Sequence, residues 1–140
     1  MVELSADARE AWELMLQLFF GQRDRFMALS VKHGLTPVHT KALLDLDPDQ
    51  PAPMRQLAAQ LSCDASYVTN IVDRLEERGY VERRPSSADR RVKEVVLTAA
   101  GRDARNEIHE ALHKPPASLA NLSAADQRTP RNIVRRMTSA

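Results

Sequence analysis

Apolar positions early in the chain recur at alternating steps of three and four. In AREAWELMLQLFFGQRDRFMALSVKHG, Trp12, Met15, Phe19, Gln22, Phe26 and Leu29 share one stripe, and Leu14, Leu16, Leu18 and Phe20 widen it. That spacing predicts one long helix, and an apolar surface wider than a single stripe predicts packing on more than one side. A partner subunit is the simplest cover for the second side; a helix sunk in a monomer's own core is the alternative. Next, GLTPVHTKALLDL ends one helix at Gly34 and starts another, with Thr36 as N-cap and Pro37 at the first helical position. The proline-rich DPDQPAP connects, with room for a very short strand at most. MRQLAAQL, with Met54, Leu57, Ala58 and Leu61 on one face, reads as a short helix, SCD as a tight turn, and ASYVTNIVDRLEERG as a second helix stopped by Gly79.

The period then changes from helical to alternating. YVERR and VKEVVLT are two short strands flanking the tip PSSADRR, after which TAAGRDARNEIHEALH returns to helix until Pro115 and Pro116. Ser123 followed by Asp126 marks the start of a last helix ending near Met137, which Pro130 should kink or delay. Two helices joined by a tight turn and followed by a strand pair predict a winged helix-turn-helix: a mainly α fold with a small β-hairpin wing.

At 100° per residue, Val68, Ile71, Val72 and Leu75 face the core from the second helix of this motif. Ser66, Thr69, Asn70, Asp73, Arg74 and Glu77 fall on the other side, with Tyr67 at the border. Short polar side chains let a helix backbone approach the major groove, where hydroxyl, amide and guanidinium groups reach phosphates and base edges, and Tyr67 could touch a phosphate or a thymine methyl. An ordinary solvated face is the alternative.

Composition sharpens the charge argument. The chain has 140 residues, 43% hydrophobic and 28% charged, which suits one soluble globular domain. Its net charge is only +1, so nucleic-acid binding has to come from a local patch. The wing is such a patch: residues 83–93 hold Arg83, Arg84, Arg90, Arg91 and Lys93 against Asp89, a net +4 in eleven residues. Pro85 stiffens the departure, and Ser86, Ser87 and Ala88 keep the tip slim. The arginines suit a narrow, strongly negative minor groove, with Asp89 orienting a neighbouring guanidinium. Arg84, Ser86, Asp89, Arg90 and Arg91 are therefore the expected wing contacts; a hairpin charged only for solubility is the rival.

LTPVHTKALLDL and LAAQLSCDASYVTNIVDRLEERGYVERRPSSADRRVKEVVLTAAG together resemble the winged helix-turn-helix of MarR-type transcriptional regulators. The resemblance implies a homodimer that binds a pseudo-palindromic operator in double-stranded DNA, usually repressing nearby genes. It implies release by a small ligand, often aromatic, or by an oxidant. It further implies one continuous domain, with residues 1–34 an N-terminal dimerisation helix, 35–99 the DNA-binding core and 100–140 C-terminal dimerisation helices. Matching positions put Ser66, Thr69, Asn70 and Arg74 at the major groove and Arg91 in the minor groove, fixed by Asp89 or Asp73, with Arg90 on phosphate. Two positions depart from the family: many members carry a basic residue where Asn70 stands, and Pro130 interrupts a helix that is usually apolar.

Other features bear on rival functions. HEALH, residues 109–113, matches a zinc-protease spacing, but the helix breaks at KPP and no third ligand or cleft follows. A zinc-responsive regulator using His109 and His113 with His39 or Glu107 is the milder alternative, and a winged helix used only for protein contacts is another. Trp12, Met15, Phe19 and His39 could line a ligand cleft, although at helical spacing the aromatics are more often core or interface. Cys63, the single cysteine, stands beside Asp64, which argues against an activated thiol and for a structural role. No cofactor and no enzymatic activity are expected. With no membrane-length apolar run and an acidic start, MVELSADARE, the expected location is the cytoplasm.

Overall fold

The computed structural model describes residues 4–139. Its elements are α1 (Ala6–Phe20), α2 (Arg23–Lys32), α3 (Pro37–Asp45), β1 (Ala52–Pro53), α4 (Met54–Gln60), α5 (Ala65–Glu77), β2 (Val81–Pro85), β3 (Lys93–Leu97), α6 (Ala99–His113), α7 (Ala117–Ala120) and α8 (Ala124–Thr138). They fall into two compact units, one reaching to His109 and one from Glu110 onward.

In the first unit the strands form one antiparallel sheet ordered β1-β3-β2. Val81 lies opposite Leu97 and Pro85 opposite Lys93, while the two-residue β1 sets Ala52 against Val95. The core collects Leu43 from α3, Leu57 from α4, Val68, Ile71, Val72 and Leu75 from α5, Val81 and Val95 from the sheet, and Ile108 from α6. Each such side chain contributes roughly 1.5–3 kcal/mol of burial. The four α5 residues are the stripe predicted from the 100° pattern. Beside this core a small polar relay joins α2 to α3: Thr40 Oγ1 donates to Ser30 Oγ at 2.8 Å, and Ser30 Oγ donates to the Phe26 carbonyl at 3.0 Å.

The single long N-terminal helix expected from the stripe is instead two. Gly21 caps α1, donating to the Gln17 carbonyl at 3.0 Å, and Gln22 donates to Phe19 in a tightened turn before α2 begins. Glycine, about 1 kcal/mol poorer than alanine in a helix, makes this the cheapest place for the ladder to break. No residue of α1 is buried.

In the second unit α8 starts upstream of Pro130, not after it. Ser123 Oγ accepts from the Asp126 N–H at 3.1 Å and fixes the start, and Pro130 removes only its own backbone donor. The short α7 between the proline pair and Ser123 has no counterpart in the sequence pattern.

Candidate nucleic-acid interface

The second helix of the motif, α5, starts where the sequence places it because Asp64 caps it. Asp64 Oδ1 accepts the Tyr67 N–H at 2.8 Å and the Ser66 hydroxyl at 2.9 Å. The Tyr67 amide first, and the Ser66 hydroxyl second, hold the Asp64 carboxyl below its ordinary value. The turn before it passes through Ser62 in the left-handed region, at φ 52°. Cys63 in this turn is partly buried.

With the start fixed and the apolar stripe buried, Ser66, Tyr67, Thr69, Asn70, Asp73 and Arg74 are all exposed along α5. They are not all free to reach outward. Thr69 Oγ1 donates to the Ala65 carbonyl at 2.8 Å. Arg74 reaches across to the turn after α2, donating to the Gly34 carbonyl at 3.0 Å while pairing with Glu77 at 3.3 Å. The surface offered to a groove is therefore small and polar, as its sequence implied, with Arg74 partly committed to packing.

The wing is built on the β2–β3 ladder. Ser86, expected among the contacts at the tip, is instead buried: its N–H donates to the Val92 carbonyl at 2.8 Å and its hydroxyl accepts the Ala88 N–H at 3.2 Å. A small hydroxyl there closes the ladder and turns the chain, which is why it faces inward. Beyond it Asp89 holds Arg91 in a fork, Oδ1 to Nε at 3.2 Å and Oδ2 to Nη2 at 3.3 Å, and accepts the Arg91 backbone N–H at 3.1 Å. The Arg91 guanidinium, then its backbone N–H, keep the Asp89 carboxyl below its ordinary value. This is the orienting geometry expected of Asp89, and it leaves the Arg91 side chain 91% exposed. Arg90 is exposed beside it, and Arg84 stands 4.0 Å from Glu94.

Asp73 does not pair with Arg91; its partner is Arg83, which also bonds Glu76 at 3.1 Å and the Thr69 carbonyl at 3.2 Å. In the sequence Arg83 counts only toward the charge of the wing, and Glu76 not at all, since partners seven to fourteen residues apart on a helix and a strand leave no local pattern.

The residues expected to bind a ligand or metal lie on three elements, α1, α3 and α6. Trp12 and Phe19 are exposed on α1 and Met15 is half-buried. His39 is engaged at the start of α3, its Nδ1 lying 2.6 Å from Thr36 Oγ1 and accepting the Thr36 N–H at 3.4 Å. Burial first, and the positive Arg74 second, lower the His39 pKa. His39 is thus a helix-capping partner through Nδ1. Among the described residues no group of three or more His, Cys, Asp or Glu side chains is placed to hold a metal ion, and no helix is long and apolar enough to cross a membrane.

Comparison with known proteins agrees with this architecture. The YfiV protein of Bacillus subtilis, described as an HTH-type transcriptional regulator, is 27% identical over 89% of this chain and 78% of its own length. The crystal structure of B. subtilis YusO superposes with a TM-score of 0.79 at 24% identity, covering 97% of this chain and 99% of that one. A mutant of Staphylococcus aureus MepR, solved with a bound oligodeoxyribonucleotide, gives a TM-score of 0.73 at 17% identity over 92% of this chain and 96% of its own. The family model described as MarR family matches residues 35–93, the stretch from α3 to the start of β3 that carries both the motif and the wing, and that part of the chain is a MarR-family winged helix-turn-helix.

Proposed function

We propose that this protein is a MarR-family regulator, a sequence-specific DNA-binding repressor acting as a homodimer on a pseudo-palindromic operator in the cytoplasm, released by a small aromatic ligand. The observation that carries the reading is the pairing of an exposed polar α5 with a wing tip on which Asp89 aims Arg91 outward. The α5 face, through Ser66, Tyr67, Thr69, Asn70 and Arg74, enters the major groove, while Arg90, Arg91 and Arg84 meet the flanking minor groove and its phosphates. The MepR relative bound to an oligodeoxyribonucleotide supports the choice of DNA as partner.

Support for the dimer comes from exposed apolar side chains in each unit. Trp12, Leu14, Leu18, Phe19 and Phe20 are exposed on α1, and Ile133, Val134 and Met137 on α8. A second copy supplies the cover, so residues 1–34 and 100–140 serve as dimerisation regions around the 35–99 core. Two heads spaced about one helical turn apart then read two half-sites, and a ligand that alters their spacing weakens binding.

The test is fluorescence anisotropy on DNA from upstream of the protein's own gene against scrambled DNA, over a salt series. The wild type should bind selectively with a steep salt slope. Arg90→Ala/Arg91→Ala should weaken binding roughly ten- to hundredfold and flatten the slope by about 1 to 2. Equal, salt-insensitive binding of both duplexes would defeat the reading and favour a protein partner; affinity that appears only with zinc and vanishes in His109→Ala would favour the metal-dependent version.

A further inference from the structure

Arg83 stands apart from the arginines nearer the tip of the wing. The side chains of Arg84 and Arg91 are 56% and 91% exposed, whereas that of Arg83 is 24% exposed and its donors are turned inward. Nη1 donates to Glu76 Oε1 at 3.1 Å, Nη2 donates to the Thr69 carbonyl at 3.2 Å and to Asp73, and the Arg83 backbone N–H donates to Glu76 Oε2 at 3.3 Å. The three acceptors, at positions 69, 73 and 76, lie along one face of α5 over two turns. A planar guanidinium with five fixed N–H donors is suited to bridging such a row, and lysine is not.

We infer that Arg83 is a positioning residue that locks the root of the wing to the recognition helix, so that α5 and the wing tip present themselves to adjacent grooves as one rigid unit. The inference rests on the DNA-binding reading above and adds to it the element that sets the angle between its two halves. Strand β2 carries Arg83 two residues before Pro85, and the tip follows directly. Rotation of the strand about its root would sweep Arg90 and Arg91 away from the minor groove without altering α5. Rigid pre-placement of both contacts removes an ordering cost from binding.

Charge gives the inference a sign that distinguishes it. Asp73 and Glu76 are acidic side chains, 51% and 45% exposed, on the helix that would face a polyanion. If they acted only through charge, neutralising them would strengthen DNA binding. If they anchor Arg83, neutralising them weakens it.

A duplex is first selected from a random pool with the wild-type protein; if none is enriched, the DNA-binding reading fails before any variant is made, and this inference falls with it. On the selected duplex, Asp73→Asn/Glu76→Gln and Arg83→Gln are compared with wild type by anisotropy and hydroxyl-radical footprinting. Each is expected to bind about tenfold more weakly, as suits a partly buried charge-assisted network. Each should lose protection of the flanking minor groove while keeping central protection. In an Arg90→Ala/Arg91→Ala background, Arg83→Gln is expected to add less than about twofold, because its effect passes through the tip. Asp73→Asn alone, which leaves the Arg83–Glu76 pair in place, provides a milder variant should Arg83→Gln not fold. Unchanged or tighter binding by the neutralised acids would overturn the inference. So would an Arg83→Gln loss of equal size with and without the tip arginines, the result expected if Arg83 itself touched phosphate or merely supported the fold.

Discussion

Gly101→Ala tests the joint on which the wing is mounted. Gly101 is buried in the first turn of α6 against the backbone of Tyr80, and a Cβ built there would lie 1.9 Å from the Tyr80 carbonyl oxygen and 2.8 Å from its carbon. Two effects oppose each other. Alanine in place of glycine favours a helix by about 1 kcal/mol. Relief of the contact requires a backbone movement of about 1.5 Å to reach ordinary van der Waals separation, and overpacking of this kind costs about 1–3 kcal/mol or more. The same movement strains the Thr98 N–H bond to the Tyr80 carbonyl, 3.0 Å, and the Gly101 N–H bond to Thr98 Oγ1, also 3.0 Å, each worth about 1 kcal/mol net. Sterics therefore win, with a net loss of about 1–3 kcal/mol, or roughly 3–12 °C in Tm for a chain of this size. Thermal melts by circular dichroism at matched protein concentration measure it, concentration being fixed because the proposed dimerisation would shift Tm. A Gly101→Ala protein that melts at or above the wild-type temperature would refute the close approach and the reasoning built on it.

Ile108→Ala, which empties a fully buried position in α6, should cost about 2–4 kcal/mol and lower the urea midpoint without changing the slope of the transition. Asp64 has a folded pKa below its unfolded one, so its cap stabilises above the unfolded value, and that stability is lost as pH falls through the folded value. Asp64→Asn, which still caps but does not titrate there, should flatten the acid limb of a stability-against-pH profile, and an unchanged limb would count against the cap. Asp89→Ala should weaken DNA binding severalfold by anisotropy even though it removes a negative charge, because Arg91 loses its fork; tighter binding would show that Asp89 only repels.

What could be seen in the sequence was what short-range periodicity encodes. The buried stripe Val68, Ile71, Val72 and Leu75, the alternation in β2 and β3, and the Thr36 and Ser123 helix starts all follow from spacings of two to four residues. The break at Gly21 was hidden because one glycine does not disturb a heptad pattern that resumes at Phe26. Ser86 was misplaced because composition marks it as a tip residue, while its position opposite Val92 makes it the last link of the ladder. The Arg83 network was invisible for a different reason: its meaning depends on the angle at which β2 leaves α5, which is set by packing around Tyr80 and Gly101 and not by any local run of residues.

Charge at the interface is governed by pairing more than by count. Along residues 64–94 the acids are largely occupied: Asp64 by amide and hydroxyl donors, Asp73 and Glu76 by Arg83, Glu77 by Arg74, Asp89 by Arg91 and Glu94 by Arg84. Glu82 falls on the face of β2 opposite Arg83. Exposed pairs of this kind add little stability one at a time, so their collective effect is better sought in where they leave positive charge uncompensated. That place is the tip, where Arg90 and Lys93 are exposed and Arg91 is held by a single carboxylate that aims it outward. Within the motif, positive charge is thereby left uncompensated at one edge, beside a helix whose acids are held by arginines. On the proposed DNA-binding reading, affinity would then depend on geometry, since a tip swung away from the groove would leave on α5 only Arg74, already paired with Glu77, to hold the phosphates.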